Sequence, residues 1–300
     1  KLLLVGVNRD TMLGALSISG VNLAKQIVGS TPLSPFVKKI YYRYKTAVGE
    51  RHPIQNTKTS GDYSLERLGT EYGGWVFVDE KELYNSPIIS AGLGEDASFD
   101  IEFAEKYNSE VTIVDPTPRA IQHFKEIKES LGSKKTKSYT QNGKEPVAAY
   151  DLSNINNTQL TLIEKALWNE RTELEFYKPE IESHVSHSIV NWRHDYSSDT
   201  DYIEVQADTI TSIINDQDIN TGDIHLIKLD IEGAEVEVIE QMMDYGFTPR
   251  QILVEFDELH NPSHKGFNRV SKAHNILLEK SYKLLYSDGV ADFLYYREDG

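Results

Sequence analysis

Three carboxylates lie close together in the run Asp-Ile-Glu-Gly-Ala-Glu, at Asp230, Glu232 and Glu235. The apolar residues 224–229 before them predict a buried strand, and residues 234–243 carry apolar side chains at the four-residue spacing of a core-facing helix. Ligands of open α/β sheets bind beyond the carboxyl ends of the strands, so this strand-to-helix junction predicts a site. The alternative is that Glu232 and Glu235 only cap the helix, because negative charge is favourable at a helix N-terminus.

A second strand-to-helix junction lies earlier in the chain. Residues 88–90 predict a short buried strand, 91–96 a tight turn with the sequence Ala-Gly-Leu-Gly-Glu-Asp, and 98–107 a helix. Residues 111–114 predict the next buried strand, which ends at Asp115. A strand, glycine turn, helix, strand and acid in this order are typical of a nucleotide-binding βαβ unit.

The glycine turn indicates which nucleotide this unit binds. A dinucleotide site has a third glycine and holds a pyrophosphate, whereas this turn lacks that glycine and carries Glu95 and Asp96, which would repel phosphate. An acidic turn fits S-adenosylmethionine, which has a sulfonium and an ammonium group and no phosphate. Gly92 and Gly94 allow close approach of the backbone. Asp115 is placed to accept both ribose hydroxyls, a role that NAD sites share.

The remaining elements complete an open sheet. Residues 159–164 predict a third strand, whose end would lie beside the adenine and make Ala166 and Leu167 candidate adenine contacts. Residues 282–286 and 291–296 predict a terminal hairpin. The fold class predicted is therefore α/β, with a doubly wound, mostly parallel sheet that ends in an antiparallel C-terminal hairpin.

Composition and charge limit the partners and divide the chain. The net charge of -16 argues against a nucleic-acid partner, and the absence of cysteine excludes disulfides and thiolate chemistry. Residues 1–58 nevertheless carry nine Lys or Arg against two acids. Residues 34–45 predict a basic, aromatic helix that could contact a membrane surface or pack on the acidic body. We therefore predict a helical N-terminal extension and linker at 1–67 and a catalytic domain at 68–300.

Cellular location and assembly are only weakly constrained. The apolar run 2–7 is too short to cross a bilayer. The prediction is a cytoplasmic protein with an option of membrane association, and the sequence contains no signal for oligomeric state.

A long segment, residues 178–204, is rich in His, Ser, Asp and Tyr and predicts an irregular binding loop or lid. Histidine can act as a general base near neutral pH, which makes His187 a catalytic candidate. The alternative is that His184 and His187 are surface residues without a task.

With both junctions described, the chain resembles the FkbM-type family of S-adenosylmethionine-dependent methyltransferases. Residues 227–235 match the family signature K-I-D-V-E-G-A-E. Residues 72–75, 92–100 and 185–188 look like a subgroup that includes animal methyltransferase-like proteins. The sequence departs from the commoner pattern at Ser90, where an acid is usual. The resemblance implies a seven-stranded Rossmann-like sheet and O-methylation, often of sugars or natural products.

Under this hypothesis the enzyme aligns an acceptor oxygen with a sulfonium methyl group and removes its proton. The base would be Asp230, Glu232 or His187. A divalent metal between Asp230 and Glu255 is an option, but none is expected. The predicted cofactor contacts are Ala91, Gly92, Gly94, Glu95, Asp96, Asp115, Pro116, Ala166, Leu167 and Asp230.

Three function classes therefore follow from the sequence. The preferred one is an O-methyltransferase that acts on a hydroxyl of a saccharide or similar metabolite. The second is an NAD(P)-dependent sugar oxidoreductase, against which the acidic turn and the missing glycine argue. The third is a cofactor-binding but inactive interaction module, which the unusual turn sequence keeps open.

Overall fold

The computed structural model describes residue 54 and residues 63–177, 202–260 and 263–298. The predicted N-terminal helices, His184 and His187 lie outside these residues. In chain order the strands are β1 (Leu65–Leu68), β2 (Trp75–Val78), β3 (Ile88–Ala91), β4 (Val111–Val114), β5 (Leu160–Ile163), β6 (Ala166–Leu167), β7 (Thr172–Tyr177), β8 (Tyr202–Asp208), β9 (Leu226–Leu229), β10 (Gln251–Glu255), β11 (Tyr282–Ser287) and β12 (Asp292–Arg297). The α-helices are α1 (Ser98–Tyr107), α2 (Pro118–Glu129), α3 (Ile210–Asp216), α4 (Glu235–Asp244) and α5 (His264–Glu279).

Seven strands form the main sheet, in the order β11-β12-β10-β9-β3-β4-β5. Strands β3, β4, β5, β9 and β10 are mutually parallel, and β12 runs antiparallel to both β10 and β11. The seven-stranded, mostly parallel sheet with an antiparallel C-terminal hairpin is therefore confirmed. From β3 the chain proceeds outward through β4 to β5 and then returns to β9 on the other side of β3. Such a reversal of strand order opens a crevice at the carboxyl ends of the two central strands.

Both faces of the main sheet are covered, because successive side chains of a strand point to opposite faces. Ile89 and Ile227 belong to the core that contains residues of α3, α4 and α5. Their neighbours Ile88 and Leu226 belong to a second core that contains residues of α1 and α2. This double coverage explains why the central strands are apolar throughout and confirms the doubly wound arrangement.

The structure differs from the sequence-based elements at one strand and one helix. Strand β8 begins at Tyr202, within the segment predicted to be irregular, and pairs with β6 and β7 in a separate three-stranded sheet. The sequence does not reveal this strand, because its exposed and buried residues are mixed and form no continuous apolar run. The sequence predicts the last helix over residues 270–279, but helix α5 begins at His264, because the Ser263 hydroxyl accepts a hydrogen bond from the Gly266 amide and caps the first turn.

The polar segment 132–153, predicted to loop outward, packs against the N-terminus of α1. Tyr150 is fully buried, and its hydroxyl lies 3.0 Å from the amide nitrogen of Ala97, which donates to it. His123 of α2 lies 2.9 Å from the same hydroxyl. The aromatic residue, rather than the surrounding polar ones, decides where this segment lies.

None of the helices in the described part of the chain has the length and apolar content that a membrane span needs. Contact of the basic N-terminal part with a membrane surface stays a prediction.

Substitution of Gly92 tests the close approach between the two central strands. Gly92 has φ +88, and a Cβ there would overlap the carbonyl oxygen of Asp230 and lie 2.9 Å from its carbonyl carbon. We expect Gly92→Ala to lower the free energy of unfolding by about 2–5 kcal/mol, from left-handed backbone strain and from overpacking. The change is measured by urea denaturation.

The matched control is Gly246→Ala, which follows α4. Gly246 has φ +77, but among the described residues no atom lies within 4 Å of the position that an added Cβ would take. We expect only the strain cost of about 1–2 kcal/mol. Equal losses in the two variants would contradict the close backbone contact at Gly92.

Candidate functional site

The crevice at the strand reversal is lined by the residues that directly follow four parallel strands. Gly92 follows β3, Asp115 follows β4 and Asp230 follows β9, while Glu255 ends β10. The hydrogen-bond ladder continues into the first three, because the Gly92 amide donates to Val114 at 3.0 Å and the Asp230 amide donates to Ala91 at 3.1 Å. The predicted site residues of both junctions are thus brought together at one edge of the sheet.

Asp115 holds the glycine turn in place. Its Oδ2 accepts hydrogen bonds from the amides of Leu93 at 2.9 Å and Gly94 at 3.0 Å. Its Oδ1 accepts from the amide of Thr117 at 2.8 Å and from the hydroxyl of the same residue at 2.7 Å. These bonds use the lone pairs of the carboxylate, so a ribose hydroxyl would have to share or replace one of them.

The two acids of the turn have different surroundings. Asp96 is buried, and its carboxylate accepts hydrogen bonds from the Thr70 hydroxyl at 2.6 Å and from the Ser98 amide at 3.0 Å. Glu95 is partly exposed and lies 3.5 Å from the ammonium of Lys144. Asp96 therefore connects α1 to the loop after β1, and Glu95 is the more accessible of the two to a cationic ligand.

Asp230 is the central carboxylate of the crevice. Burial is the main cause that raises the pKa of Asp230 well above its ordinary value, and the charge of Glu255 adds to it. Lys228 opposes this effect, whereas a hydrogen bond from the protonated Asp230 carboxyl to Glu255 adds to it. A carboxylate with a raised pKa is a stronger base than an exposed one, which suits proton removal near neutral pH.

Glu232 and Glu235 have separate tasks. Glu232 adopts a left-handed backbone conformation with φ +55 and is partly exposed at the turn. Glu235 is buried, and its carboxylate accepts hydrogen bonds from the amides of Ile231 at 2.9 Å and Gly233 at 3.0 Å. Glu235 therefore binds the turn that precedes α4 and does not cap the helix, which has no side-chain cap, while Glu232 stays a candidate for chemistry.

Lys228, to which the sequence analysis assigned no role, lies beneath the crevice. It is only 4% exposed, and its ammonium donates to the carbonyl oxygen of Gly92 and lies 5.9 Å from the ring centre of Trp75. The buried Asp100 of α1 has a pKa raised by burial, which the charge of Lys228 counteracts. A lysine inside an otherwise apolar strand is the sequence signal that could have identified Lys228, because a buried ammonium needs a buried partner.

The predicted adenine contacts lie just beyond the third parallel strand. Ala166 and Leu167 form β6, pair with β8 and are buried. Pro116 is partly exposed beside Asp115. Their contact with a cofactor stays a prediction.

Metal binding finds no support in this crevice. Within residues 63–177, 202–260 and 263–298, no three or more His, Asp or Glu side chains are arranged to hold a metal ion. One histidine that the sequence analysis left without a role, His260, contacts Glu255 through its Nε2.

The pH dependence of stability tests the buried position of Glu235. Burial, followed by the charges of Glu258 and Asp257, raises the pKa of Glu235 well above the ordinary value of 4.5. The folded protein thus holds this proton more tightly than the unfolded chain. The associated stability is complete below about pH 4.5 and is lost as the pH rises through the folded-state pKa.

Two substitutions separate the charge of Glu235 from its hydrogen bonds to the turn. Glu235→Gln keeps an acceptor oxygen for the two amides, so the fall in melting temperature between pH 4.5 and neutral pH should become shallower. Glu235→Ala removes the acceptor and should cost about 1–2 kcal/mol at every pH. An unchanged pH dependence in Glu235→Gln would show that the carboxyl is ionised normally.

Known proteins resemble this chain in sequence, through one family, and in fold, through solved structures. Residues 63–284 match the family described as the methyltransferase FkbM domain, whereas no curated protein matches the sequence. Two solved structures are similar, each at 10% sequence identity. The first is a fibrillarin/Nop5p complex with a TM-score of 0.34, and the match covers 71% of this chain and 73% of that chain. The second is a mutant of MtNAS with a TM-score of 0.33, and the match covers 72% of this chain and 55% of that chain. Their TM-scores are too low to indicate a function. The family match supports methyl transfer and spans most of the described chain. The chain therefore belongs to the FkbM methyltransferase family.

Proposed function

We propose that this protein is an S-adenosylmethionine-dependent methyltransferase that methylates a hydroxyl oxygen of a saccharide or related metabolite. The observation that carries the proposal is the contact between the Gly92 turn and the backbone of Asp230 at the strand reversal. This contact places a turn suited to close ligand approach directly beside a carboxylate suited to proton removal.

The chemistry of the crevice residues fits the cofactor. The carboxylate of Asp115 lies at the end of β4, where it can share its hydrogen bonds with ribose hydroxyls. Glu95 is the more exposed acid of the turn, and its carboxylate can bind the cofactor ammonium group in exchange for Lys144 at 3.5 Å or Arg119 at 3.8 Å. When bound, S-adenosylmethionine supplies a methyl group on a positively charged sulfur.

Asp230 would act on the acceptor. Its carboxylate takes the hydroxyl proton while the acceptor oxygen forms a bond to the methyl carbon. The electron pair of the broken carbon–sulfur bond stays on sulfur, so one positive charge disappears from the cofactor and one negative charge disappears from Asp230. The neighbouring Glu232 is the second candidate for this role.

The acidic character of the crevice supports a neutral acceptor. Asp230, Glu232 and Glu255 carry oxygens that accept hydrogen bonds from hydroxyl groups, and they would repel a phosphate or carboxylate. The resemblance to enzymes that often methylate sugars points in the same direction. An NAD(P) cofactor fits this turn poorly because the turn lacks the third glycine of a dinucleotide site.

Calorimetric titration tests the cofactor assignment. We expect S-adenosylmethionine to bind the full chain and NAD not to bind. Asp115→Ala should weaken binding by at least about tenfold, or about 1.4 kcal/mol, because both the turn and the ribose lose a partner. Asp244→Ala, which removes an exposed aspartate at the end of α4, should bind as the wild type does.

Melting temperatures of both variants establish that they are folded. Binding of NAD in place of S-adenosylmethionine would overturn the proposal. Cofactor binding without turnover on any acceptor would indicate the inactive interaction module.

Substitution of Asp230 tests the catalytic base. With methyl-labelled S-adenosylmethionine and a panel of neutral saccharides, Asp230→Asn should keep cofactor binding and lose about 100-fold or more in turnover, because it cannot accept the proton. Glu232→Gln is the comparison variant and should lose less. Full turnover in Asp230→Asn would exclude it as the base, and a larger loss in Glu232→Gln would transfer the role to that residue.

A further inference from the structure

Two residues that are distant from Asp230 in sequence surround it at the sheet edge. Strands β9 and β10 pair with Leu229 opposite Val254, so Glu255 lies next to Asp230, where it can accept a hydrogen bond from the protonated Asp230 carboxyl. His260 follows a short 3-10 turn after β10, and its Nε2 contacts Oε1 of Glu255. The three side chains form a row that runs from Asp230 through Glu255 to His260.

We propose that Glu255 and His260 are positioning residues that hold Asp230 as the base of methyl transfer. This inference rests on the proposed function and adds two residues to it. Glu255 orients Asp230 by accepting a hydrogen bond from it once Asp230 holds the proton, and the negative charge of Glu255 favours this protonated form, which makes Asp230 a stronger base. When protonated, His260 carries a positive charge, which weakens the effect of the Glu255 carboxylate on Asp230.

The charged groups around Asp230 agree with these separate roles of Glu255 and His260. Beyond burial, Glu255 and Glu232 raise the pKa of Asp230, and Lys228 lowers it. Lys228 lies on β9, two residues before Asp230, and its side chain is beneath the crevice. Of the two acids that raise the pKa, Glu255 has the larger effect, so it is the one whose removal should matter most.

Further charged groups lie near Glu255 on the side of β12. Asp292 on β12 lies opposite Glu255 in the antiparallel register. After burial, Glu255 and Asp288 raise the pKa of Asp292, whereas His260 and Arg67 lower it. His260 therefore counteracts the negative charge of this group of acids from the partly exposed side of the crevice.

This arrangement gives the proton a route out of the site. During methyl transfer the acceptor proton moves to Asp230 and can then pass along the hydrogen bond to Glu255. The protonated His260 loses one proton to water and takes the proton held by Glu255 through Nε2, which restores the starting charges. The His260 side chain is 25% exposed, so water can remove the proton there.

A titration that needs neither cofactor nor acceptor tests the proposal. The full chain is labelled with carbon-13 at the aspartate carboxyl carbons, and nuclear magnetic resonance follows each signal with pH. The signal of Asp230 is assigned by its disappearance in Asp230→Asn. In the wild type it should titrate well above ordinary aspartates, which have pKa values of about 3.9.

The two positioning residues should move this titration in opposite directions. Glu255→Gln removes the neighbouring negative charge and should lower the titration midpoint of Asp230 by about one pH unit or more. His260→Gln removes the compensating cation and should raise the midpoint. Glu279→Gln, at the exposed end of α5, is the matched control and should leave it unchanged.

Midpoints that stay fixed in both variants, or that move in the same direction, would overturn the proposal, since a merely structural role predicts no opposite shifts. If Glu255→Gln does not fold, the direction of the shift in His260→Gln decides alone. Failure of the proposed function is a separate result, because it appears as absent S-adenosylmethionine binding while the titration is unaffected.

Discussion

The structure depends on the close contact between the ends of β3 and β9. Gly92 approaches the Asp230 carbonyl so closely that no side chain fits between them. From below, the ammonium of Lys228 is bound to the Gly92 carbonyl oxygen, and from the side Asp115 binds the next two amides of the turn. The glycine turn is thus held by groups from the two strands that flank β3, which is what a preorganised binding crevice requires.

The protein also shows how an acidic chain accommodates buried carboxylates. Asp100 lies near Lys228, Glu235 accepts backbone amides, and Asp230 shares a hydrogen bond with Glu255. A buried charge is costly unless it is paired or hydrogen-bonded. Glu235 and Asp230 meet that requirement, whereas both carboxyl oxygens of Asp100 lack a hydrogen-bond partner among the described residues, and burial instead raises the pKa of Asp100. Of these three, Asp230 is the one at the crevice, where its proton is available for chemistry.

Several site residues could be predicted from the sequence because their signals are local. Apolar runs marked β3, β4 and β9, and the residues that end them are Gly92, Asp115 and Asp230. Parallel strands of one sheet place their carboxyl ends at the same edge, so proximity follows from strand direction. Strand β8 could not be predicted this way, because a half-exposed strand in a small sheet has no continuous apolar run.

By itself, the sequence determined the fold class, the two acidic or glycine-containing junctions and the family, because periodicity and short motifs lie within a few residues. Only the tertiary structure decided how each carboxylate is used. Asp96 binds Thr70, Glu235 turns back onto its own loop, and Glu255 with His260 stands beside Asp230. These contacts depend on strand order and register, which join residues far apart in the chain and leave no local signal in the sequence.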